Sequence, residues 1–269
     1  MGLIASFVTQ PCIEKVAFPA PKKSSYTIHH PNITFIGRTK TEVIACMKYT
    51  PQNLPINSRK IIIYSHGNAC DIGQTDTFLA KLSAQLETEI ISYDYPGYGL
   101  STGFASEKSA LYALDTVYTH LAAVGYKHIV LYGVSIGTGP TVSKAVQLSK
   151  QKHIIALKGC VLQTPYTSVV GVVSQPIEHI LYSTESSICK NPNIFKSQET
   201  IDQITVPVTI IHGTKDEVIP YHHAVTLYDC LQQAQRTTSR LITLPEATHN
   251  SIEEDYYSEL VACLAEMLK

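Results

Sequence analysis

Three polar residues that together could perform nucleophilic catalysis each follow a short apolar run: Ser135, Asp216 and His249. A serine becomes a nucleophile when a histidine takes its proton and a carboxylate orients that histidine. Ser135 is the centre of a Gly-x-Ser-x-Gly match at 133–137, which is typical of a sharp turn that lifts a serine above its strand. The order of these residues along the chain predicts hydrolysis through an acyl-enzyme.

A second Gly-x-Ser-x-Gly match, at 99–103, offers Ser101 as an alternative nucleophile. The turn needs a strand that runs directly into it and a helix that leaves at once. A strand pattern leads straight to Ser135 and a helix pattern follows, whereas the helix pattern after Ser101 begins only near Ser106. We therefore favour Ser135 and interpret residues 99–103 as a loop near the active site.

Other titratable residues compete with the predicted acid and base. Glu217 could replace Asp216 as the acid, but it lies one position further from its strand, and His212 is interpreted as a structural residue. The histidine pairs at 222–223 and 29–30 suggest a metal site, yet adjacent histidines rarely bind one ion together. We interpret both pairs as polar surface, and we predict neither a metal nor an organic cofactor.

Acyl transfer also needs N–H donors for the oxyanion that forms in the transition state. One predicted donor is the backbone N–H of Ile136, the residue after the nucleophile. The second is predicted in the loop after the third strand, where Gly67 allows close approach of the backbone. The N–H of Asn68 is the first choice and that of Ala69 the alternative, while Cys70 is interpreted as a small buried thiol.

Strand and helix patterns alternate along the chain after about residue 60. Six near-continuous apolar runs predict buried strands at 61–65, 90–94, 129–132, 160–163, 208–211 and 241–244. Helical spacing predicts helices at 74–87, 106–124, 138–149, 221–233 and 251–268. Earlier, 33–36 and 42–49 suggest an antiparallel pair. The alternation predicts an α/β fold with a mainly parallel central sheet and helices on both faces.

The expected domain organisation is a leader followed by one domain. Residues 1–17 are predicted as the leader and 18–269 as the domain, within which prolines and serines at 165–206 predict a small cap. The polar ends of the predicted parallel strands should share one edge of the sheet. Ser135, Asp216 and His249 are therefore expected to meet there.

Composition excludes several classes of protein. Hydrophobic residues make up 44% of the chain and the formal net charge is −1, which argues against a nucleic-acid binder that neutralises many phosphates. No run approaches the roughly 18 apolar residues of a membrane-spanning helix. The seven cysteines form no Cys-x-x-Cys pair, so we expect reduced thiols in a cytoplasmic compartment.

In combination, four blocks of the chain resemble the α/β-hydrolase superfamily, and most of all the α/β hydrolase domain-containing protein 17 group. The resemblance covers roughly residues 18–269 and rests on HGNA at 66–69, YDYPGYG at 93–99, GVSIG at 133–137 and HGTKDEVI at 212–219. It implies an α/β-hydrolase fold with Ser135, Asp216 and His249 as the triad. It also implies an S-depalmitoylating thioesterase that acts on membrane-bound acylated proteins.

The front of the chain departs from that group, which carries a cluster of palmitoylated cysteines where only Cys12 is available here. Gly2 and the residues after it fit the pattern for N-myristoylation. One myristoyl chain binds a membrane only marginally, so a second signal would come from Cys12 or from Lys15, Lys22 and Lys23. We predict attachment to the cytoplasmic face of a membrane through the N-terminus.

The leading hypothesis is a serine hydrolase that cleaves an acylated protein or a small acyl ester, most specifically a palmitoyl-protein thioester. A soluble carboxylesterase, lipase or serine peptidase would use the same triad. From another class, a non-catalytic, membrane-associated binding module could share the fold. An intact triad favours the enzyme.

Overall fold

One mixed sheet is the centre of the computed structural model, which describes residues 17–37, 42–55, 58–150, 153–173, 194–234 and 238–269. Within these residues its strands are β1 (Ile33–Gly37), β2 (Val43–Tyr49), β3 (Lys60–Ser65), β4 (Glu89–Tyr93), β5 (His128–Val134), β6 (Ala156–Gln163), β7 (Val208–Gly213) and β8 (Arg240–Leu244). The spatial order is β1-β2-β4-β3-β5-β6-β7-β8. β2 runs antiparallel to both β1 and β4, and all other neighbours are parallel. The predicted α/β fold is confirmed.

Helices lie between the parallel strands, and two more follow β8. Within the described residues they are α1 (Asp76–Leu86), α2 (Glu107–Ala123), α3 (Thr138–Ser149), α4 (Val169–Val173), α5 (His222–Ala234), α6 (Ile252–Asp255) and α7 (Tyr257–Met267). The predicted helix at 251–268 is divided at Tyr256 into α6 and α7. Ser106 begins α2 as predicted, because its hydroxyl accepts a hydrogen bond from the backbone N–H of Ser109.

The core consists of two apolar layers, one on each face of the sheet. Ile61 and Ile63 of β3 pack into the layer that contains α2, α3 and α5. Ile62 and Tyr64 point to the opposite face and pack into the layer that contains α1 and α7. Because successive side chains of a strand point to opposite faces, a strand covered on both sides must be apolar throughout. This explains the near-continuous apolar runs of the sequence.

The sheet order brings the predicted site residues to one edge. Ser135, Asp216 and His249 follow the carboxyl ends of β5, β7 and β8, and the loop with Asn68 follows β3, which pairs with β5. Parallel strands end at the same edge, so loops from distant parts of the sequence meet above it. This edge carries the candidate site.

The predicted leader and cap lie partly outside the described residues. Ala17, the last residue of the predicted leader, is buried against the core, whereas Gly2 and Cys12 are not described. In the predicted cap, residues 174–193 are not described, and the rest contains α4 and two short 3₁₀ turns at Ser197–Glu199 and Ile201–Gln203. The domain boundaries stay a prediction.

Among the described helices, none is both long and apolar enough to cross a membrane.

Candidate active site

Ser135 lies on a strained turn between β5 and α3. Its φ is +51°, a left-handed conformation that is unusual for a residue with a side chain. The turn packs so closely that a Cβ on Gly137 would lie 2.2 Å from the backbone oxygen of Ser65. A Cβ on Gly133 would lie 2.5 Å from the hydroxyl of Thr141. The two glycines of the Gly-x-Ser-x-Gly pattern are therefore needed for steric reasons.

A continuous chain of hydrogen bonds joins Ser135, His249 and Asp216. The Nε2 atom of His249 lies 3.1 Å from Oγ of Ser135, and its Nδ1 atom lies 2.8 Å from Oδ2 of Asp216. A carboxylate only accepts hydrogen bonds, so Nδ1 carries the proton of a neutral His249 ring. Nε2 is then free to accept the proton of the serine hydroxyl.

Backbone N–H groups and two histidine rings surround the carboxyl of Asp216. Its Oδ1 atom accepts hydrogen bonds from the backbone N–H groups of Val218 and Ile219, at 2.9 and 2.7 Å. Nε2 of His212 lies 3.2 Å from Oδ2. Burial alone would raise the pKa of Asp216, but the hydrogen bonds from His212 and His249 hold it below its usual value. Asp216 is therefore a carboxylate at neutral pH.

The alternative acid and nucleophile occupy different environments. The carboxylate of Glu217 accepts a hydrogen bond from the backbone N–H of His249, at 3.3 Å, rather than from its ring. The buried hydroxyl of Ser101 accepts from the N–H of Ala45 and donates to the carbonyl of Asp94. The hydroxyl of Ser101 thus connects two backbone segments.

The loop after β3 passes directly beside Ser135. A Cβ on Gly67 would lie 3.8 Å from the Cβ of Ser135. The side chain of Asn68 fixes this loop, because its amide donates to the carbonyl of Ala17 and its oxygen accepts from the hydroxyl of Tyr98, at 2.8 and 2.9 Å.

The backbone N–H groups near Ser135 differ in their availability. The N–H of Ala69 already donates to the Asn68 side chain, at 3.0 Å. Among the described residues, the N–H of Asn68 has no such partner. Ile136 lies in the first turn of the 3₁₀ helix Ser135–Gly137, where N–H groups have no intrahelical acceptor. Among the described residues, neither the N–H of Asn68 nor that of Ile136 has a recorded acceptor, as the predicted oxyanion role requires.

Comparison with known proteins shows the family to which the chain belongs. The model of the prolyl oligopeptidase family matches residues 112–268. The chain is 35% identical to the α/β hydrolase domain-containing protein 17B of Xenopus tropicalis over 227 residues, which cover 81% of this chain and 69% of the relative. The chain belongs to the α/β hydrolase domain-containing protein 17 family. It is also 37% identical to the α/β hydrolase domain-containing protein aho-3 of Caenorhabditis elegans, over 78% of this chain and 57% of that protein.

Solved structures with low sequence identity share the fold of this α/β hydrolase. An esterase of Pyrococcus furiosus, Pf2001, superposes with a TM-score of 0.69 at 14% identity, covering 93% of this chain and 98% of the esterase. The hydrolase fold is therefore retained well beyond the family, and the particular chemistry must be read from the site.

A cavity of about 550 Å³ opens above Ser135 and has two different walls. One wall belongs to the core layer of α2, α3 and α5 and is apolar, with Ala17, Ile136, Tyr166, Val169 and Ile219. The other wall lies over the opposite face of the sheet and is largely polar. It includes Tyr64, Gln74, Thr75, Gln163 and Glu253. The volume is in the range of small-molecule sites.

Sequence reasoning missed several residues that contact this site. Gln163 is the last residue of a predicted strand, and a polar residue at that position indicates the functional edge of the sheet. His212 was assigned only a structural role, although its imidazole approaches the same carboxylate oxygen as His249. Nothing local in the sequence distinguishes Glu253 from its acidic neighbours.

Two of the interpretations made from sequence are wrong. Cys70 is half-buried rather than buried and lines the cavity, and its thiol donates to the carbonyl of Gly67 at 3.2 Å. His223 is buried rather than part of a polar surface, and its Nδ1 atom lies 2.9 Å from the hydroxyl of Thr167. Burial lowers the pKa of His223 to about 4, so its ring is neutral. No cluster of potential metal ligands occurs among the described residues.

Proposed function

We propose that this α/β hydrolase is a serine hydrolase that cleaves acyl thioesters or esters, with S-acylated proteins as its substrates. The observation that carries the proposal is the hydrogen-bonded series Ser135, His249 and Asp216, of which Ser135 and His249 line a cavity. Each member meets the geometric requirement for its role, since a general base must lie within hydrogen-bond reach of the proton that it removes.

In the first half of the reaction, Oγ of Ser135 attacks the acyl carbonyl carbon while its proton moves to Nε2 of His249. The carbonyl π electrons move to oxygen, and the N–H groups of Asn68 and Ile136 stabilise this oxyanion, at about 3 kcal/mol for each donor. When the intermediate collapses, the carbon–sulfur or carbon–oxygen bond breaks. His249 then protonates the leaving thiol or alcohol, and the acyl group remains on Ser135.

In the second half, His249 takes a proton from water, whose oxygen attacks the acyl-enzyme. Collapse of this second intermediate releases the carboxylic acid, and Ser135 regains its proton from His249. Asp216 remains ionised throughout and stabilises the transient imidazolium, in keeping with its lowered pKa.

The apolar wall supports an acyl group as the part of the substrate that enters the cavity. Tyr166 fixes this wall beside the nucleophile, because its hydroxyl donates to the carbonyl of Ile136 at 3.1 Å. Burial of an acyl chain gains roughly 0.8 kcal/mol for each methylene removed from water. The resemblance to the domain-containing protein 17 group supports a palmitoyl thioester as the specific substrate.

The deciding experiment is fluorophosphonate labelling of the wild-type chain and of Ser135→Ala, followed by mass spectrometry. We expect labelling of the wild type at Ser135 and loss of labelling in the variant. Ser101→Ala is the matched control and should retain labelling. Labelling that persists in a folded Ser135→Ala variant would contradict the assignment, and absence of labelling in the wild type would favour the non-catalytic binding module.

Peptide hydrolysis is a second candidate activity, because the prolyl oligopeptidase family model matches the part of the chain that contains the triad. Three substrates with one peptide sequence distinguish the possibilities: an S-acyl cysteine, the matching O-acyl serine, and the unacylated peptide. We expect Ser135-dependent release of acid from the thioester to be the fastest reaction. Faster cleavage of a backbone amide would identify a peptidase.

The proposal includes a location at the cytoplasmic face of a membrane. Its support is the sequence pattern at Gly2, Cys12 and the nearby lysines, of which Gly2, Cys12 and Lys15 lie outside the described residues. Membrane fractionation of Gly2→Ala, Cys12→Ser and the double variant in cells is the test. We expect each single variant to release part of the protein and the double variant most of it, because stable anchoring requires two signals. Unchanged partitioning of all three would contradict lipid attachment.

A further inference from the structure

Glu253 lines the cavity above Ser135 but has no role in the proposed reaction. It lies in α6, four residues after His249, so the segment that supplies the base also supplies this carboxyl. Tyr64 and Gln163 stand beside it on the same polar wall.

A relay of hydrogen bonds is directed at this carboxyl. Tyr132 donates its hydroxyl to Oε1 of Gln163, at 2.5 Å, which leaves the amide N–H₂ of Gln163 to donate to Glu253. The hydroxyl of Tyr64 donates to Oε1 of Glu253, at 3.4 Å. A carboxylate can accept about four hydrogen bonds, so two neutral donors leave capacity on the cavity side.

The described part of the cavity offers no lysine or arginine that would neutralise this carboxylate. None of its described lining residues is lysine or arginine, and no described lysine or arginine forms an ion pair with Glu253. Burial raises the pKa of Glu253, against the hydrogen bonds from Tyr64 and Gln163. A cation that entered the cavity would restore the ionised form, since opposite charges favour each other's charged state.

We propose that Glu253 is a specificity-determining residue that binds a cationic group on the leaving part of the substrate. For an S-acylated protein, the group would be a lysine or arginine side chain next to the acylated cysteine. This inference rests on the proposed function, which it extends from the reaction to the choice of substrate.

The two walls of the cavity separate the two parts of such a substrate. The acyl chain lies along the apolar wall of Ile136, Tyr166 and Val169. His249 must protonate the leaving group, so the leaving group lies on the side of His249. Glu253 lies four residues after His249 and lines the same cavity. It is therefore positioned to contact a charged group on the leaving thiol or alcohol.

Two N-acetylated, S-octanoyl cysteine peptides that differ only in the next residue, lysine or norleucine, test the proposal. The ratio of their kcat/KM values is measured for the wild type, for Glu253→Gln and for Glu254→Gln, an exposed neighbour on the same helix. We expect the wild type to prefer the lysine peptide by at least about fivefold, the size of one modest ion pair. Glu253→Gln should reduce the ratio to near one, and Glu254→Gln should retain it.

A charge-reversed variant and a second pair of reagents complete the test. Glu253→Lys should favour a matching peptide with glutamate after the cysteine, an effect that loss of folding cannot produce.

The second pair of reagents is two organophosphates whose thiol leaving groups end in a quaternary ammonium or a neutral tert-butyl group. They react with Ser135 directly, so their rates do not depend on thioester turnover. If neither peptide is hydrolysed, the proposed thioesterase activity is wrong, but a Glu253-dependent preference for the cationic organophosphate would still support cation binding. If the wild type and Glu253→Gln react equally fast with both members of each pair, the proposal that Glu253 binds a cationic group is overturned.

Discussion

His212 and His249 approach the same carboxylate oxygen of Asp216 from two sides, at 3.2 and 2.8 Å. Nε2 of His212 also lies 2.8 Å from the carbonyl oxygen of Ile219. Both neighbours of Nε2 are acceptors, so this atom carries the ring proton and donates to both. His212 thus ties the carboxylate to the loop that holds it.

Removal of this donor should slow catalysis more than it weakens substrate binding. In His212→Phe, we expect kcat to fall about tenfold with a much smaller change in KM, because one hydrogen bond to a charged group is lost. His212→Gln retains an N–H donor and should recover part of the loss. Steady-state kinetics on a thioester, together with thermal unfolding, provides the measurement. Wild-type kcat in a folded His212→Phe variant would contradict this positioning role.

The turn at Ser135 should tolerate no side chain at Gly137. We expect Gly137→Ala to lower the free energy of unfolding by about 3 kcal/mol or more, because the new Cβ would meet the backbone of β3, which cannot move aside. Gly67→Ala is the matched control for folding, since its Cβ would make only ordinary contacts. Urea denaturation compares the two variants. Equal stabilities would show that the turn can relax.

Tyr98 should support the oxyanion donors through Asn68. In Tyr98→Phe, Asn68 loses the hydroxyl that fixes its side chain, and we expect kcat to fall about tenfold, which is less than the effect of removing a donor outright. Tyr126→Phe is the control, because it also loses a buried hydrogen bond, to Glu89 at 2.6 Å, but far from Ser135. The two variants should lose similar stability and differ in kcat. A similar kcat for both would contradict the support role.

The free energy of unfolding should fall between about pH 4 and 7, because Asp94 has a raised pKa in the folded state. This buried carboxyl accepts hydrogen bonds from Tyr26 and the N–H of Ile72, and it faces His66 and Asp71. Burial raises the pKa of Asp94 to about 7 and lowers that of His66 to about 4. Between about pH 4 and 7 the folded state therefore retains a proton on Asp94 that the unfolded chain releases, so this stabilisation is lost as the pH rises through 7.

Comparison with Asp94→Asn isolates this contribution. From pH 5 to pH 8, we expect the stability difference between wild type and variant to shift by about 2 kcal/mol in favour of the variant, which cannot ionise. Urea unfolding at a series of pH values measures the shift. A difference that stays constant with pH would mean that Asp94 titrates normally.

The strand patterns and the Gly-x-Ser-x-Gly pattern were informative because both reflect local requirements. The helix prediction at 138–149 agrees with the structure at both ends, and the preference for Ser135 over Ser101 follows from the strand and helix on either side of it. The break at Tyr256 was not predicted, since the apolar spacing continues across it.

The sequence by itself determined the order of strands and helices, the strained turn and the edge at which Ser135, Asp216 and His249 meet. These features depend on the spacing of apolar residues and on steric limits within a few residues. Only the tertiary structure decided that His212 shares an oxygen of Asp216 with His249, that His223 is buried and that Glu253 faces the cavity. Those contacts depend on which strands become neighbours and on how the loops above them pack, so residues far apart in the chain must first be brought together.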